Sequence, residues 1–102
     1  MAVVEVTIVP LGTGNTSVSD FVAGCLRVLK DEKNLKYSLT PMGTIIEGEL
    51  EKILDAVRAM HEQPFRAGAG RVLTTIRIDD RRDREITMSG KVSAVEKKLG
   101  GL

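Results

Sequence analysis

The chain has 102 residues, enough for one domain whose core removes roughly two thirds of the unfolded surface from water. Hydrophobic residues make up 42% and charged residues 28%, the balance of a soluble globular chain. The formal net charge of +1 argues against a protein held to nucleic acid by a basic surface, and 3% aromatic residues leave no base-stacking platform. Cys25 is the only cysteine, so an internal disulfide is excluded. It falls in an apolar helical stripe and reads as a buried structural thiol. No basic stretch followed by a long apolar run opens the chain. Neither a signal peptide nor a membrane span is therefore expected, and the default location is the cytoplasm.

Residues Ala2 to Pro10 alternate as a strand. Val4, Val6 and Ile8 form one face; Val3, Glu5, Thr7 and Val9 form the other. A glycine-containing loop, Leu11 to Thr16, leads to a helix starting near Ser17 or Ser19. Ser17 with Asp20 resembles a capping box with Asp in place of Glu. Val18, Phe21, Val22, Cys25, Leu26 and Leu29 follow helical spacing, with Val22 and Cys25 expected in the core. The helix fades near Lys33-Asn34. Tyr37 and Leu39 alternate with Ser38 and Thr40 in a second strand that ends at Pro41. Met42-Gly43 connects it to a third, Thr44 to Glu47, which Gly48 breaks.

A second helix places Leu50, Ile53, Leu54, Val57 and Met60 on one side. Its acidic first turn suits the positive end of the helix dipole. Pro64 is expected to stop or kink it, and Ala67 to Gly70 form a small-residue turn. The fourth strand runs from Arg71 to about Asp79. Val72, Thr74, Ile76 and Ile78 share one face; Leu73, Thr75, Arg77 and Asp79 share the other. Asp79 to Glu85 is densely charged and self-neutralising. Ser89 is placed to cap a short last helix whose Val92, Val95 and Leu99 are spaced for docking.

The order β-α-β-β-α-β with an added C-terminal helix predicts an α+β, ferredoxin-like sandwich built on a four-stranded antiparallel sheet. Two helices can cover only one face of that sheet. The other carries Val3, Thr7, Val9, Leu73 and Thr75, a mixed surface that invites sheet-to-sheet association into a homo-oligomer.

The segment Pro41-Met42-Gly43-Thr44-Ile45-Ile46-Glu47-Gly48 sets a hydroxyl and a carboxylate at a glycine-bounded strand-to-helix corner. Residues three apart on a regular strand point to opposite faces, so a shared pocket for Thr44 and Glu47 requires a bulge or a strand end that re-aims one of them. Two readings stay open: a ligand site, or a strand threonine followed by a carboxylate at a helix start. The loop Pro10 to Ser17 can offer backbone N–H groups to an anion, or be a capped connection only. It lacks the Lys of a phosphate-binding loop and the third Gly of a dinucleotide fingerprint. His61 is the only histidine and has no cysteine or second histidine to share a metal with, so no metal or cofactor is expected. Arg71 and Arg77 read as partners for acids across an interface, or as anion ligands. No residue set suggests an activated nucleophile.

Three segments resemble the thiamine-binding protein family, related to the YkoF-type hydroxymethylpyrimidine/thiamine binders. They are the first strand with Gly12-Thr13-Gly14 and Ser17-Val18-Ser19, then Pro41 to Gly48, then Gly70-Arg71-Val72 through Ile78-Asp79-Asp80-Arg81. The resemblance covers nearly the whole chain, and the middle segment is its most specific part. It implies a ferredoxin-like fold, pairing through the open sheet face into dimers commonly assembled into tetramers, and noncovalent binding of thiamine or its aminopyrimidine portion. The polar positions that match the family pattern are Ser17, Ser19, Thr44 and Glu47. Glu47 is suited to accept from an exocyclic amine, and Thr44 or a serine to serve a ring nitrogen. The shortage of aromatics departs from a typical cation pocket, with Tyr37 the one candidate to face a cationic ring.

The expectation is a noncatalytic small-molecule binder for thiamine or a related aminopyrimidine such as hydroxymethylpyrimidine, in storage, salvage or transport. It uses no cofactor, no nucleic acid and no membrane insertion. Two alternatives remain. One is an acylphosphatase-like enzyme, which would need a phosphate-directed Arg that Leu11 to Ser17 does not contain. The other is a structural or regulatory oligomer with no ligand.

Overall fold

A computed structural model describes residues 1–100. Its elements follow the expected order: β1 (Ala2–Leu11), α1 (Ser19–Lys30), β2 (Lys36–Thr40), β3 (Gly43–Gly48), α2 (Leu50–Arg66), β4 (Arg71–Asp80) and α3 (Met88–Lys98). The strands form one four-stranded sheet in the order β2-β3-β1-β4, with every neighbouring pair antiparallel. This is the ferredoxin-like arrangement.

Period-two alternation sorts the sheet into two faces. On the helix-covered face Val4 lies between Ile46 and Ile78, and Val6 between Thr44 and Ile76. Helices α1 and α2 bring Cys25, Leu29, Ile53, Ala56, Val57 and Met60 onto it. Ala56 takes the buried place expected for Leu54, which is 40% exposed. Val22 is only half buried. On the open face, Glu5 of β1 pairs with Arg77 of β4 at 3.0 Å, so this arginine is engaged within the chain.

The helix boundaries show which local signals governed. No capping box forms at Ser17 and Asp20. The Ser17 N–H donates instead to Asn15 Oδ1 at 2.9 Å, and α1 starts at Ser19 with Val18 in the cap position and no side-chain cap. Pro64 does not stop α2, which continues to Arg66. A proline removes the hydrogen bond to the carbonyl four residues back. Here that carbonyl is Met60's, and the Cys25 Sγ–H of α1 donates to it at 3.3 Å. The orphaned acceptor is thus satisfied from the neighbouring helix, while the ring itself is buried. Helix α2 ends two residues later in a left-handed cap. Gly68 has φ +101°, its N–H donates to Phe65 O, and the Ala69 N–H donates to Pro64 O. His61 is more engaged than a surface position would be: its Nδ1 is 2.6 Å from Thr74 Oγ1 and its ring meets Phe65 edge-on.

Two expectations fail at the C-terminal end. The cap of α3 is Thr87, whose Oγ1 accepts the Gly90 N–H at 2.9 Å; Ser89 lies inside the helix. Nor does α3 dock through Val92, Val95 and Leu99, each of which is more than half exposed. It is held near the sheet by an ion pair between Lys91 and Asp79, and it contributes no buried residue. The radius of gyration, 15.1 Å, accordingly exceeds the value of about 13 Å for a compact domain of this length. The charged turn before it is self-neutralised as expected, with Arg81 on Asp83 and Arg82 on Asp80.

Candidate functional site

A cavity of about 300 Å³ opens between α1, the second half of α2 and the β2–β3 hairpin. That is the small end of the range for small-molecule sites. Val22 and Cys25 of α1 and Met60 of α2 form one wall; Val6, Ile8 and Thr44 form the sheet side; Leu39 and Met42 stand on the hairpin. No charged side chain and no aromatic ring lines it.

The wall is assembled by the proline in α2. Because Pro64 frees the Met60 carbonyl, Cys25 turns its thiol toward α2, and both residues face the same cavity. Burial pushes the Cys25 thiol pKa up, with a backbone hydrogen bond offsetting part of the effect. The thiol therefore stays protonated at neutral pH, as its donor role requires.

Three threonines, Thr7, Thr40 and Thr44, line this cavity, and Thr44 is the buried one. It sits on β3 between Val6 of β1 and Leu39 of β2, on the helix-covered face, and is 5% exposed. Its hydroxyl makes no hydrogen bond to another described residue. Among the described residues no fully enclosed polar side-chain atom lacks a partner. The Thr44 Oγ1 atom is therefore not fully enclosed, and Thr44 is one of the residues that line the cavity. The neighbouring Thr40 hydroxyl is already committed, donating to the Gly43 carbonyl at 2.8 Å.

Glu47 is not part of this arrangement. The β1–β3 and β2–β3 registers are unbroken, so no bulge re-aims either residue. Glu47 lies on the open face between Val3 and Lys36, opposite in sense to Thr44. It is also 5% exposed, and it makes no hydrogen bond or ion pair with another described residue. Ser17 and Ser19 are exposed and do not line the cavity, but they flank Val18, which does. Tyr37 lies on the edge strand β2 and is not among the lining residues. Of the four polar positions singled out in the sequence, the fold thus puts Thr44 in the cavity lining, leaves the two serines outside it next to Val18 in the chain, and sets Glu47 on the other face of the sheet.

Sequence reasoning missed the cavity wall itself. Cys25 and Met60 read as core residues, and Met42 as part of a connection. The signal that could have found them is the spacing of Pro64 four residues after Met60, which requires an outside donor at that turn.

Fold and cavity together define a ferredoxin-like α+β domain with an uncharged, partly enclosed pocket of small-molecule size. Residues 4–96 match the sequence profile of the thiamine-binding protein family, and the chain belongs to that family. It is 48% identical over 102 residues to UPF0045 protein YqgV of Bacillus subtilis, covering 97% of this chain and 98% of that protein. It is 43% identical over 100 residues to a UPF0045 protein of Methanothermobacter thermautotrophicus, covering 97% of this chain and all 100% of the other. The crystal structure of a Methanocaldococcus jannaschii protein superposes with a TM-score of 0.81 at 38% identity, over 99% of this chain and 97% of that one.

Proposed function

We propose that this protein binds thiamine or a related aminopyrimidine noncovalently and without catalysis, as one cytoplasmic domain serving storage, salvage or transport. Membership of the thiamine-binding family supports the ligand class. The observation that carries the site is Thr44, a buried residue whose hydroxyl has no described protein partner and which lines a cavity of small-molecule size. The absence of charge from the lining supports an orientation. Burying an unpaired charge is costly, so the neutral aminopyrimidine end enters and the cationic thiazolium stays at the mouth. Ser17 and Ser19, the chain neighbours of the lining residue Val18, are assigned to that end of the ligand. Glu47, on the other face, is not assigned to the ligand.

Titration calorimetry tests this reading. Thiamine and hydroxymethylpyrimidine are both expected to bind. Thr44→Val removes the hydroxyl at nearly constant shape and should weaken either ligand by about 1–2 kcal/mol, or roughly five- to thirtyfold. No heat with either compound sinks the ligand assignment. Unchanged affinity in a folded Thr44→Val protein rejects Thr44 alone.

Association of copies belongs to the same reading. The open sheet face leaves Leu73 57% exposed beside a half-exposed Val9, too apolar a surface to face water. The same face holds the Glu47 carboxylate without a described partner, a group that a cation from a second copy would satisfy. We therefore expect a homo-oligomer, dimer or tetramer, through this face. Sedimentation equilibrium at micromolar concentration should return a multiple of 11.1 kDa; the monomer mass would remove this proposal.

A further inference from the structure

We infer that Met42 is a specificity-determining residue of the cavity: its thioether closes over the exposed face of a flat, uncharged heteroaromatic ring. The inference rests on the cavity reading above and names a residue that reading does not use.

Met42 is 81% exposed, well beyond any other exposed large hydrophobic side chain among the described residues, yet it stands at the mouth of an apolar cavity. Its main chain is pinned. The Met42 N–H donates to Thr40 Oγ1 at 3.2 Å, and that same hydroxyl donates to Gly43 O. Behind it, Gly43 is pressed against β1, where a Cβ would lie 3.0 Å from Thr7 Cγ2 and 3.1 Å from the Val6 carbonyl oxygen. A side chain there would crowd β1, so glycine suits this close approach of the hairpin. The unbranched Met42 side chain keeps three rotatable bonds with which to sweep across the opening.

The rest of the lining says what Met42 would meet. The chain has four methionines and one cysteine. Met42, Met60 and Cys25 all line this cavity, which holds no aromatic residue. Sulfur makes favourable contacts with aromatic rings, so a sulfur-rich, ring-free slot suits a ligand that supplies the ring. An aliphatic compound of equal size would fill the volume and gain nothing from the sulfurs. Cys25 donates its thiol hydrogen to the Met60 main-chain carbonyl, and both side chains are buried; Met42 is the exposed member.

The experiment uses the full chain with hydroxymethylpyrimidine as probe. Hydrogen peroxide should oxidise Met42 readily in the free protein, read by mass spectrometry. Saturating hydroxymethylpyrimidine should slow that oxidation at least fivefold, while Met1, exposed and remote from the cavity lining, is oxidised at the same rate throughout. Met42→Ala should weaken the probe about tenfold, which is about 1.4 kcal/mol, and Met42→Leu, which keeps bulk without sulfur, should fall between. Protection of Met42 with loss of affinity in Met42→Ala supports the assignment. If the probe binds but Met42 oxidises unchanged, or Met42→Ala binds like wild type, Met42 is overturned and the cavity reading stands. Slow oxidation without ligand also overturns it, since something else then covers the side chain. No binding of the probe to the wild type removes both.

Discussion

Ile46→Ala is expected to lower the unfolding free energy by about 2–5 kcal/mol, the range for truncating a fully enclosed branched aliphatic residue. Ile46 is 0% exposed. It lies on β3 between Val4 of β1 and Tyr37 of β2, on the face that α1 and α2 cover, and belongs to the same core cluster as Leu29 and Ile53. The truncation removes three carbons from a site that strand pairing on both sides keeps from collapsing. Domains of this size have only about 5–15 kcal/mol in hand, so the loss is a large share of the total. Urea denaturation should show a lower midpoint with an unchanged slope. Ile78→Ala is the matched control. Ile78 occupies the same face on the edge strand β4 but is 48% exposed, and should lose much less. Equal losses at the two positions would mean that a second copy or another element buries the β4 edge in solution.

Val22→Phe should reduce thiamine affinity by about a hundredfold or more, equivalent to about 2.7 kcal/mol, while leaving the thermal midpoint unchanged or raised. Val22 sits on α1, is half buried, and lines the cavity opposite Thr44's side of the sheet. A phenyl group entering from there occupies space that in the wild type is empty. The strain that usually accompanies small-to-large changes in a filled core is therefore small. Stability and binding should separate in this variant, which a general disturbance of the fold would not produce. Calorimetry and a melting curve on the same preparation decide it. Full affinity at an undiminished midpoint would place the ligand elsewhere, with the open face around Glu47 the next position to test.

The expected elements and the ferredoxin-like order were readable because each depends on short-range periodicity. Val4, Val6 and Ile8 repeat every second residue, and Ile53, Val57 and Met60 every three or four, so the buried faces declare themselves locally. The less reliable signals were single residues at element ends. Ser17 caps nothing, its N–H held by the Asn15 side chain two residues away while α1 starts without a side-chain cap, and Ser89 lost its role to Thr87. Such hydrogen bonds differ little in energy, and composition alone does not choose among adjacent acceptors. Pro64 misled for another reason. Its penalty is local, but the donor that satisfies the freed Met60 carbonyl, Cys25, is 35 residues from Met60 in the chain.

Residue order alone set the strand alternation, under which Thr44 and Glu47 could share a pocket only through a bulge or a strand end. It also determined that one sheet face would be left uncovered by two helices. Strand pairing settled that no bulge occurs and that Thr44 and Glu47 part to opposite faces, since register is a property of paired strands. Only in the packed fold do Val22, Cys25 and Met60, on two helices, enclose a cavity with Thr44 and the Met42 hairpin, because α1 and α2 pack on the sheet without filling the space beside β3. The standing-off of α3 is likewise a tertiary outcome. Its apolar spacing shows that Val92, Val95 and Leu99 share a side, but not whether anything within the same chain lies opposite to receive them.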